Sequence, residues 1–178
     1  KLSAKMFGPG VYPPQPLTVL AHAFGNKSWN ASKGEDRYRR SVYTFIKRTA
    51  PFAGFMTFDG TSGENCLAKR DRSNTPLQAL TLLNDEMFLE LARAAGAEVH
   101  LQKKDPVLSL FRRFLTRPPS AEETKALQAY LDQQIERLSK GELKPAEITA
   151  DKKATPELAG KVLLARAIMN LDEAITKP

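Results

Sequence analysis

"DPVLSLFRRFLTRPPSAEETKALQAYLDQQIERL", residues 105–138, decides the fold. Asp105-Pro106 is a helix start: a carboxylate to accept from the free first-turn N–H groups, then a proline where its missing N–H costs nothing. Leu108, Phe111, Phe114 and Leu115 follow at three-and-four spacing as the buried face, and Pro118-Pro119 end the segment. Ser120-x-x-Glu123 is a capping box ahead of Leu127, Leu131, Ile135 and Leu138. This is helix–break–helix, and the same grammar extends in both directions.

On the N-terminal side, Thr75 caps and Pro76 opens a helix through Leu80 and Leu83. Asp85 re-caps a second one carrying Phe88, Leu91 and Ala95. On the C-terminal side, residues 139–154 read as a charged linker. Thr155-Pro156 then opens a last helix with Leu158, Val162, Ala165, Ile168 and Met169 facing inward. The expected class is all-α: a helical bundle over 76–178, preceded by an irregular, loop-rich basic segment over 1–75. The two together are expected to make a single domain.

The first third is less regular. "MFGPGVYPPQP", residues 6–16, is too rich in Gly and Pro for helix and predicts an extended entry, with Pro16 opening a short helix through Leu17, Leu20 and Ala21 that stops at Gly25. Residues 26–34, "NKSWNASKG", form a polar loop with the single tryptophan, Trp29, and an Asn30-Ala-Ser32 glycosylation pattern of the kind that also arises by chance. In "DRYRRSVYTFIKRTAP", residues 36–51, Tyr38, Val42, Phe45, Ile46 and Thr49 fit one helical face, with Asp36 and Lys47-Arg48 at the favourable ends. Alternation over six residues fits a strand as well; helix is the reading taken. Residues 51–72 show no period apart from a short strand expected at Phe55–Phe58.

Composition bounds the chemistry. With 42% hydrophobic and 26% charged residues the chain is globular in type, and no apolar run approaches the ~18 residues a membrane span needs. No leader with a long apolar stretch is visible, and there is no initiator Met, so the chain is expected to be part of a larger protein. Cys66 is the lone cysteine and His22 and His100 the only imidazoles, which leaves no disulfide and no ligand spacing for a metal or covalent haem. No cofactor is expected.

The net charge of +7 is one-sided: residues 1–75 carry 12 Lys/Arg against 5 Asp/Glu, and residues 76–178 carry 15 of each. An anion would meet the first segment. Nucleic acid is not the expected partner, because the rings of residues 36–51 fall opposite the arginines and the rest of the chain offers no basic track. "AKRDRSNTPLQAL", residues 68–80, runs into a helix N-terminus, where Arg70, Arg72 and Asn74 could hold an anion. The reading taken is the plainer one, in which Asp71 pairs locally with Arg70 or Arg72 and Asn74 merely caps. Asp59 and Glu64 could serve as an acid/base pair, but no nucleophile elbow accompanies Thr61, Ser62 or Cys66. Cys66 beside Arg70 reads either as an activated thiol or as a small buried hydrophobe.

The segments "GPGVYPPQP", "GEDRYRRSVYTFIKRTAP", "FDGTSGENC", "RDRSNTPLQALTLLND" and "LLARAIMNLDEAITKP" together resemble one family. It is the C-terminal domain of unknown function (domain of unknown function 1553) of large planctomycete surface proteins, which often accompanies a cytochrome-c-like domain. The chain departs from it at Asp59-Gly-Thr-Ser-Gly63-Glu64, where the family has Asp-Ala-Pro-Ser-Arg-Glu, and at Glu86, where the family has proline. The resemblance implies an exported, extracytoplasmic bacterial protein and supplies no activity. Its pattern falls on Asp36, Arg37, Arg39, Arg40, Arg48, Asp59, Arg70, Arg72 and Asn74. Of these, Arg37, Arg40, Arg48, Asp59, Arg70, Arg72 and Asn74 are the ligand-binding candidates, for an anionic glycan or for neighbouring domains of the same protein. The expectation is a non-catalytic binding or scaffolding module. The alternative is a hydrolase of acidic polysaccharide acting through Asp59 and Glu64.

Overall fold

The computed structural model describes all residues except 1, 17, 22–27, 62–67, 70–72, 103 and 176–178. The chain forms two compact units, Lys1–Gln78 and Ala79–Pro178. Among the described residues the regular elements are helices, with one isolated parallel bridge between Val11 and Thr44. The protein is all-α, with its irregular part at the N-terminus.

In the first unit, short helices α1 (Thr18–Ala21) and α2 (Ala53–Thr57) punctuate extended chain. The Val11 N–H donates to the Tyr43 carbonyl at 2.8 Å and the Phe45 N–H to the Val11 carbonyl at 2.9 Å. On the other side, the Tyr12 N–H donates to the Ser32 hydroxyl at 2.9 Å and the Ser32 N–H to the Tyr12 carbonyl at 2.7 Å. An aromatic cluster fills the space these ties enclose. Trp29 is buried, donates its indole N–H to the Pro13 carbonyl at 2.7 Å, stacks on Phe52 and meets Tyr12 edge-on. Burying the indole with its donor satisfied is what lets Trp29 sit in this small core.

The helix expected across residues 36–51 does not form. Two 3₁₀ turns, Gly34–Tyr38 and Ser41–Tyr43, are followed by extended chain. The expected stripe is split: Phe45 packs on Tyr12 and Trp29, whereas Val42 is 80% exposed and Ile46 is exposed too. Thr44 and Ile46 are β-branched, and Val11 supplies extended pairing at Thr44. The strand expected at Phe55–Phe58 is likewise replaced, by α2. There the Thr57 hydroxyl donates back to the Ala53 carbonyl at 3.0 Å, and Phe55 turns edge-on to Phe52.

In the second part of the chain the capping signals hold. It comprises α3 (Pro76–Asn84), α4 (Glu86–Gln102), α5 (Pro106–Leu115), α6 (Ala121–Ser139), α7 (Pro145–Thr149), α8 (Pro156–Met169) and α9 (Asp172–Ile175). Asp85 accepts from the Met87 N–H at 2.9 Å, and Asp105 from the Val107 and Leu108 N–H groups at 2.9 and 3.1 Å. Both halves of the Ser120–Glu123 capping box are present. The buried face of α5 is Val107, Leu110, Phe111 and Leu115, with Leu108 and Phe114 only partly covered. The helix is rotated from the expected setting because nearly every position on that side is apolar, so the period fixes the helix but not its angle. The expected linker contains α7, held by Arg93, whose Nε donates to the Ile148 carbonyl at 2.8 Å.

Helix α8 is the axis of this bundle, touching α4, α5, α6, α7 and α9. Ala159, Gly160, Val162, Leu164, Ala165, Ile168 and Met169 are all buried, so it is covered on most sides. It approaches α4 closely at Gly96. A Cβ there would stand 2.7 Å from Val162 Cγ2 and 2.8 Å from the Val162 backbone nitrogen. Only glycine admits that helix–helix spacing.

Candidate functional site

The first unit holds the polar groups that could act on a ligand, arranged around two centres. The first is Asp59, just past α2, in the left-handed region at φ 55°, a conformation that aspartate tolerates better than most residues. Its carboxylate accepts the Ser73 N–H at 2.8 Å and the Ser73 hydroxyl at 2.8 Å. Gln78, 1% exposed, closes the knot. Its side-chain amide donates to the Ser73 hydroxyl oxygen at 2.9 Å and to the Thr57 carbonyl at 3.0 Å. Its oxygen accepts the Thr75 N–H at 3.1 Å, while the Thr75 hydroxyl accepts the Gln78 N–H at 3.3 Å. Thr75 and Gln78 thus form a capping box at the start of α3 whose spare donors reach back to anchor the Asp59 turn.

The Ser73 hydroxyl and N–H hold the Asp59 carboxyl below the usual carboxylate range, with a smaller contribution from Gln78. An ionised, doubly bonded carboxylate has no proton to give near neutral pH. It is a poor general acid and a good fastener for the loop.

The second centre is Tyr43. The buried Arg39 lies with its guanidinium 3.7 Å from the ring centroid and donates to the Phe7 carbonyl at 2.5 Å, and at 3.4 Å to those of Lys5 and Pro9. The Phe7 N–H donates to the Tyr43 hydroxyl oxygen at 3.0 Å. Arg40, exposed, brings its guanidinium to 5.8 Å from the same ring and hydrogen-bonds the hydroxyl. The Tyr43 hydroxyl is held below its ordinary range, first by the Phe7 N–H and then by the arginines.

Of the residues singled out in the sequence, Arg40 stands at the Tyr43 hydroxyl and Asp59 in the Ser73–Gln78 knot. Arg37 is half-buried, and Arg48 and Asn74 are exposed. Glu64, Arg70 and Arg72, like His22, Ser62, Cys66 and Asp71, lie outside the described residues. The residues that sequence reasoning missed are Ser73, Gln78 and Tyr43. The pattern Thr75-x-x-Gln78 was the available signal, since it carries the capping-box spacing that was recognised at Ser120–Glu123. Charge divides along the unit boundary: Lys1–Gln78 contains all 12 Lys/Arg and 5 Asp/Glu of the basic segment, for +7, against 15 and 15 in Ala79–Pro178. Among the described residues no group of His, Cys, Asp and Glu could hold a metal ion, and no helix is long and apolar enough to cross a membrane.

No curated protein and no solved structure matches the chain. Residues 1–131 match the family model of PSD1, protein of unknown function (DUF1553); the matched part ends within α6, so the closing stretch "LLARAIMNLDEAITKP" lies beyond it. The match covers the whole first unit and most of the bundle's helices up to α6. The chain belongs to the PSD1 family of proteins of unknown function (DUF1553).

Proposed function

We propose that the chain is a non-catalytic binding or scaffolding module of an exported, multidomain bacterial protein of the planctomycete surface type, working beside a cytochrome-c-like domain outside the cytoplasm. Its ligand is an anionic glycan, or the neighbouring domains of its own polypeptide. The observation that carries this reading is the concentration of the entire +7 excess in Lys1–Gln78, where Arg40 and Arg48 are exposed. The acid chemistry of a glycosidase finds less support. A general acid must stay protonated near neutrality, and Asp59 is drawn the other way by Ser73.

The test pairs a calorimetric titration of the chain with heparin and an assay for new reducing ends in the same mixture. Salt-sensitive binding without new ends is the expected result. New reducing ends, abolished by Asp59→Asn while the melting temperature stays unchanged, would replace the module with an enzyme.

A further inference from the structure

Phe7 stands where neither its backbone nor its side chain has a local reason to be. Its φ is 61°, in the left-handed region that disfavours a residue with a Cβ, and the residue is 77% exposed. A glycine or asparagine would suit the turn better, and Gly8 beside it does adopt φ 101°. Yet the turn is held firmly. The Phe7 N–H is bonded to the Tyr43 hydroxyl, its carbonyl to Arg39, and the same guanidinium reaches the carbonyls of Lys5 and Pro9 while resting on the Tyr43 ring. The result is a preorganised hook that presents a bare phenyl ring, with the exposed Arg40 guanidinium at the hydroxyl that bonds the hook. Conformations fixed against local preference cluster at ligand clamps.

We infer that Phe7 and Arg40 form a subsite for one acidic sugar unit: the ring packs on the C–H face of the pyranose and the guanidinium takes its sulfate or carboxylate. This rests on the anionic-glycan reading above and adds the stacking residue and the chemistry it selects. Arg binds such groups through two parallel N–H donors, and the ring supplies contact with little rotamer entropy to lose. A bilayer has no stereochemistry to match, so a fixed hook gains little there. Single-stranded nucleic acid uses successive rings along a basic groove, whereas this hook carries one.

The test measures the full chain against a heparin oligosaccharide, polyvinyl sulfonate as a sugar-free polyanion, single-stranded DNA and phosphatidylglycerol vesicles at one ionic strength. The wild type should prefer heparin to polyvinyl sulfonate by about fivefold, the scale of one aromatic contact. Phe7→Leu should erase that preference with no loss of melting temperature, Phe7→Trp should keep it, and Arg40→Ala should weaken heparin binding. Heparin binding that Phe7→Leu leaves intact would overturn the subsite and spare the anionic-glycan reading. Wild type that binds no polyanion would overturn both. A Phe7-dependent preference for vesicles or DNA would overturn the sugar assignment.

Discussion

Ser73 donates both its N–H and its hydroxyl to the carboxylate of Asp59, each at 2.8 Å. That carboxyl is held below its ordinary range in the folded state, so its contribution to stability is present above about pH 4, where the unfolded carboxylate is also ionised, and fades as pH falls through the lowered value. Asp59→Asn and Ser73→Ala should each lower the melting temperature at neutral pH by several degrees. The double variant should lose less than the sum, because both remove one interaction. Thermal melts of the four proteins check it.

Arg117 gives the bundle an acid-sensitive joint of its own. It bridges Glu123, at 2.8 and 2.9 Å, and Glu173 of α9, at 2.6 and 2.8 Å. The guanidinium, helped by the Ser120 N–H, holds the Glu123 carboxyl down at about 2, and Glu173 is lowered by the same partner. Both shifts are downward, so the joint is intact above about pH 4.5 and is lost as pH drops toward 2. The wild type should lose melting temperature steadily across that window. Arg117→Met should start lower and fall less steeply.

Two glycines on packed helices should respond differently to a single methyl. A Cβ at Gly96 meets the Val162 backbone, which cannot move without shifting α8, so Gly96→Ala should cost about 1–3 kcal/mol. A Cβ at Gly160 meets Ile135 Cγ1 at 2.6 Å, a side-chain atom rather than backbone; relieving it means forcing the stiff χ1 of Ile135, a smaller disturbance than displacing α8, so its cost should be smaller. Chemical denaturation of the two variants separates them.

The bundle was legible because its signals are local. Asp105, Ser120, Thr155 and their prolines write helix starts that need no tertiary knowledge, and each of these caps is made. Residues 36–51 misled for the converse reason. Tyr38, Val42, Phe45 and Ile46 carry both periods at once, and the choice is made by Val11, some thirty residues away in sequence. The Asp59 knot was half legible: its acid was singled out, but Ser73 and Gln78 are uncharged and invisible to a search for charge. Phe45 shows the energetic consequence. It is 43% exposed against Tyr12 and Trp29, so Phe45→Ala should cost only about 1–2 kcal/mol. Phe111→Ala, at the fully buried centre of the bundle, should cost roughly 3–5 kcal/mol.

The claim that the basic unit exists to meet an anion is tested most directly by a salt gradient on immobilised heparin, run beside a neutral matrix. The chain should be retained on heparin alone and released by moderate salt, because exposed guanidinium–sulfate attraction is screened within a Debye length. The double variant Arg40→Ala/Arg48→Ala should elute earlier at an unchanged melting temperature. Wild-type chain that passes through heparin as it passes through the neutral matrix would contradict the account.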